Sequence, residues 1–137
     1  MDTLDPEQRN LIIIDDLNDE TDQRVASLFT KKSHHRNISV MYIVQSLFHK
    51  GKYHRTISLN AHYMGLLKNP RDVSQIYSIA QQMFPRNSTY MLKVFAAATS
   101  ENPHGYLLID MKQQTPDRLR LISHIFPGEK QTVYLEE

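Results

Sequence analysis

The segment that most constrains this chain is Leu11-Ile-Ile-Ile-Asp-Asp-Leu17. Three consecutive β-branched residues follow a leucine, and the run is too short for a buried helix, so it reads as a strand covered on both faces, as in a parallel sheet. Asp15 and Asp16 then fall at the carboxyl end of that strand. Open α/β sheets bind their ligands at that end.

The rest of the chain alternates helical and extended patterns. Asn18-Asp-Glu-Thr-Asp22 concentrates cap-forming and first-turn acidic residues, and Val25, Leu28 and Phe29 recur at helical spacing, which predicts a helix of about three turns. Ile38-Ser-Val-Met-Tyr-Ile-Val44 predicts a second central strand ending at the polar Gln45. The stretch 46–59 is polar and basic and carries Gly51, so a loop with at most one helical turn is expected before a short strand at Tyr63-Met-Gly-Leu-Leu67. Asn69-Pro-Arg-Asp72 stands in helix-start order, and the helix after it presents Val73, Ile76, Tyr77, Ala80, Met83 and Phe84 before stopping at Pro85. A second helix starts at Asn87 or Ser88, uses Met91, Val94, Phe95 and Ala98, and ends before Asn102-Pro-His-Gly105. Tyr106 to Ile109 predicts a strand, 114–117 a turn, Leu119-Arg-Leu121 a partly exposed strand, and Thr132 to Leu135 an edge strand or tail. Strands interleaved with helices define an α/β chain, and 137 residues without a repeat or boundary predict a single domain over 1–137.

Charge and cysteine content narrow the class. The net charge of +1 leaves nucleic-acid binding to local charge, and the absence of cysteine excludes disulfides and thiolate zinc sites. No segment has the length of a membrane span, and the acidic, polar start is unlike a signal peptide, so an intracellular protein with no membrane partner is expected.

Four groups of residues carry candidate chemistry. Asp15 and Asp16 point to opposite faces of the strand end, so one suits a metal ion and the other a water; a helix cap accounts for the same two residues without chemistry. In P-loop nucleoside triphosphatases the Walker B strand has this form. Gln45, at the same edge if the strands are parallel, can bond water and a phosphate oxygen together, or simply satisfy loop backbone. Arg36, in Ser33-His-His-Arg36, lies at the opposite edge, where a guanidinium serves a neighbouring subunit better than its own; adjacent His34 and His35 point apart and lack a third zinc ligand. Lys50, Lys52 and Arg55 form the densest basic segment, with Tyr53 inside it, suited to phosphate backbones or merely solvated.

The ordered string Leu11-Ile-Ile-Ile-Asp-Asp-Leu17, Leu28-Phe-Thr30, Ser33-His-His-Arg-Asn-Ile-Ser39, Gln45-Ser-Leu-Phe48, Arg55-Thr-Ile-Ser-Leu-Asn60, Tyr63 and Lys68-Asn-Pro-Arg-Asp72 resembles the genome-packaging ATPases of large DNA viruses and of Polinton/Maverick elements. These form the poxvirus-like branch of the HerA–FtsK superfamily of P-loop motors. The resemblance runs from Leu11 to Met83 and fades beyond Pro85.

It implies an additional-strand, RecA-like P-loop core with a mostly parallel sheet flanked by helices, assembling as a homo-oligomeric ring that drives double-stranded DNA into a capsid through a portal or capsid partner, in a virion or in the host nucleus or cytoplasm. By position, Asp15 matches the acid that holds Mg²⁺ beside ATP, Asp16 the catalytic acid, and Gln45 the polar sensor at the nucleotide. Arg36 lies in the region of a finger supplied in trans, with Arg55 as the next candidate; Arg71 is a candidate on residue type alone and equally a first-turn surface charge. The chain departs from the family in one respect: no G-x-x-x-x-G-K-[ST] loop is present. The expectation is therefore the carboxyl-terminal half of such an ATPase, inactive alone, with strand faces and an edge left uncovered. A catalytically inactive DNA- or capsid-binding subunit derived from the same ATPase is the alternative. A small Mg²⁺ phosphohydrolase built on Asp15 and Asp16 is weaker, since no nucleophile or phosphate loop accompanies them.

Overall fold

A computed structural model describes residues 5, 7–15, 23–32, 37–47 and 52–136. The chain divides into two compact units, Met1–Ala61 and His62–Glu137.

In the first unit, β1 (Asn10–Asp15) and β2 (Ile38–Ile43) pair in parallel, from Asn10 with Ile38 to Asp15 with Ile43. Between them runs α1 (Gln23–Ser27), which passes directly into a π-helical turn over Leu28–Lys32. The two together give the length of helix that the Val25, Leu28 and Phe29 spacing predicts, and Ala26 and Leu28 are buried. The segment expected to be a loop instead contains α2 (Lys52–Asn60), a helix of nine residues. Its buried positions, His54 and Ile57, sit three apart, and the histidine in that stripe concealed the apolar period. The His54 ring lies 6.0 Å from that of Tyr42 on β2, and Phe29 approaches Tyr42 from the π turn at 6.4 Å.

Alternation assigns the two faces of this pair. Asn10, Ile12 and Ile14 are half-covered, while Leu11, Ile13 and Asp15 are exposed; on β2, Ile38 is buried and Val40 and Tyr42 half-covered against exposed Ser39, Met41 and Ile43. Leu11 and Ile13 are each 59% exposed, Met41 51% and Ile43 46%. A parallel pair normally has both faces covered. Here one face is bare, and among the described residues neither outer edge has a strand partner.

The second unit corrects the expectation of a mostly parallel sheet. Its four strands, β3 (Tyr63–Leu67), β4 (Tyr106–Asp110), β5 (Leu121–Ser123) and β6 (Thr132–Val133), lie in that order and are antiparallel throughout. The reason lies in the connection: β3 leads through two helices, α3 (Ser74–Met83) and α4 (Ser88–Ser100), which form a hairpin and return the chain to the end from which it left. A single crossover helix would have made the strands parallel. α4 packs on β4, and α3 packs on α4.

The core lies between sheet and helices. Leu66, Leu107, Ile109 and Leu121 are buried on the face that registers Leu66 with Leu107 and Ile109 with Leu121, and Met91, Val94 and Ala98 are buried on α4. Asn87 caps α4, its side chain accepting from the Tyr90 N–H at 3.3 Å, as its residue type predicts. α3 starts later than Asn69-Pro-Arg-Asp72 suggested. Asn69 Oδ1 accepts from the Arg71 N–H in a turn, and Asp72 accepts from Ser74 Oγ and Gln75 Nε2. The buried stripe of α3 is Ile76, Ile79 and Ala80, which leaves Val73 and Tyr77 exposed. The predicted strand at 119–121 begins only at Leu121, because Asp117–Leu119 closes into a 3-10 turn held by Arg120 Nε on Asp117 at 2.8 Å.

Candidate functional site

The parallel register places the first pair of candidate residues. Asp15, the last residue of β1, pairs with Ile43, and Gln45 follows two residues later, so both stand at the carboxyl edge of the same pair of strands. Asp15 shares the bare face with Leu11 and Ile13, away from the helices. Gln45 is exposed and takes part in an interaction of its own. This arrangement follows from β1 and β2 being joined by a helical crossover, which returns the chain to the same end of the sheet.

Arg55 is exposed on α2, directly after the buried His54 that anchors the helix. Lys52 opens α2, and its side chain lies outside what is described. Asp16, Arg36 and Lys50 also lie outside the described residues. Of the predicted set, the structure therefore brings Asp15 and Gln45 to one edge and places Arg55 on a neighbouring helix.

Among the described residues, no group of three or more His, Asp or Glu side chains is arranged to hold a metal ion. Magnesium at nucleotide sites uses one or two carboxylates together with substrate phosphates and water, so a single exposed strand-end carboxylate such as Asp15 fits a share in that donor set. The same edge offers the Gln45 amide as both donor and acceptor.

A second polar constellation, not anticipated from sequence, sits at the end of β4 in the other unit. Asp110 is buried, accepts from the Lys112 N–H at 3.0 Å and lies 3.5 Å from Lys112 Nζ, which also donates to the Tyr63 hydroxyl at 2.7 Å. Arg120 Nη1 donates to the carbonyls of Asp110 and Lys112 at 3.0 and 2.8 Å. Burial pushes the Asp110 carboxyl up, but the Lys112 N–H, the Thr115 hydroxyl and the Lys112 ammonium outweigh it and hold the group below its ordinary value. Each cation is matched by a carboxylate or carbonyl, so the cluster locks the 110–120 turn and offers no free charge to a ligand. Its only sequence signal was the alternation of charges after an apolar strand.

The chain matches no family model, no curated protein and no solved structure. No helix among the described residues is long and apolar enough to cross a membrane.

Proposed function

We propose that this chain is the carboxyl-terminal half of a DNA-packaging motor ATPase, which couples ATP hydrolysis to translocation of double-stranded DNA into a capsid once a phosphate-loop half is present. The observation that carries this reading is the parallel pair itself: Asp15 and Gln45 at one carboxyl edge, beside an apolar face and two edges with no partner among the described residues. A sheet in that state calls for further strands and a covering layer, which a preceding phosphate-loop half would supply. In the completed site Asp15 would share in holding Mg²⁺, Gln45 would contact the nucleotide, and Asp16 would orient or deprotonate the attacking water. Bound Mg²⁺ would neutralise charge developing on the phosphates. The motor assembles as a ring, in which Arg36 or Arg55 of one subunit reaches its neighbour's nucleotide.

The test is co-expression with a protein carrying a strand followed by a Walker A loop. Mg²⁺-dependent ATP hydrolysis should appear only in the complex, and Asp16→Asn should abolish it while nucleotide binding persists. Failure of every such partner to bind or to restore hydrolysis defeats the motor reading.

Exposed Arg55, in the basic segment that begins at Lys50, supports a second reading: a non-catalytic subunit that binds DNA or capsid without nucleotide. DNA binding by the chain alone that weakens steeply with salt, and is reduced by Arg55→Ala, favours it. No binding at low salt counts against it.

A further inference from the structure

We draw no further inference here: the strongest candidate, the open face of the β3–β6 sheet, where Tyr63, Leu67 and Val133 are exposed beside the edge-to-face pair of Tyr106 and Phe126, carries nothing because nothing in the structure shows what covers it.

Discussion

Asp15 and Gln45 reach the same edge of one parallel strand pair although the chain between them contains a helix and a π-helical turn. The register leaves Asp15 opposite Ile43, its backbone in the ladder and its side chain exposed at the end of the strand. Asp15→Asn should change the stability of the chain by no more than about 0.5 kcal/mol in a denaturant melt. In a complex that hydrolyses ATP, the same substitution should lower turnover by at least about a hundredfold, with Mg²⁺ dependence shifted to higher concentration.

The bare face predicts how the chain behaves in solution. Ile13 and Met41 pair across β1 and β2 on that face, and both are more than half exposed. The isolated chain should bind a hydrophobic dye and self-associate, and Ile13→Lys should reduce both, measured by dye fluorescence and light scattering. A chain that stays monodisperse and dye-silent would show that this face is covered from within.

Gly105 is required by contact, not by an unusual φ. A Cβ built there meets the Ala98 carbonyl oxygen at 2.7 Å and the Thr99 Cα at 2.9 Å, both backbone atoms of α4 that have no freedom to turn aside. Gly105→Ala should destabilise the second unit by about 1–3 kcal/mol in thermal or denaturant unfolding. Met91, fully buried on the same helix, should cost about 2–5 kcal/mol on truncation to alanine.

Acid should act on the Asp110 turn. The folded carboxyl is held below its ordinary value of 3.8, so the unfolded chain takes up this proton first and the stabilisation present above that value is lost as pH falls through the lowered one. Unfolding followed between neutrality and pH 2 should show stability falling progressively as pH enters the carboxylate range, and Asp110→Asn should make that fall shallower.

Much of this fold was legible because periodicity and punctuation agreed. The apolar runs at Leu11 and Ile38 are the two parallel strands, and Pro85 followed by Asn87 divides α3 from α4 where the sequence says it should. The same division contained the antiparallel answer, since two helices between strands reverse the direction that one would preserve. The mostly parallel core is what the resemblance implies, and a likeness carried by Leu11 to Met83 says nothing about how β4, β5 and β6 connect. α2 was missed because its inner stripe includes His54, a residue whose burial depends on finding an aromatic and polar setting that only the tertiary structure supplies. The edge position of Asp15 and Gln45 was legible once both strands were assigned. The Lys112, Tyr63 and Asp110 arrangement was not, because Tyr63 and Lys112 meet only through the pairing of β3 with β4.

The helical hairpin between β3 and β4 also sets an order of events. Even the nearest rung of that ladder, Leu67 with Tyr106, is separated in sequence by both helices, so the strands have no short-range route to each other. Closing so long a loop is unfavourable until α3 and α4 have packed and drawn its ends together. The second unit should therefore gain helix before sheet during refolding. Substitutions that weaken the contact between α3 and α4 should slow folding, whereas those on the open face of the sheet should chiefly speed unfolding.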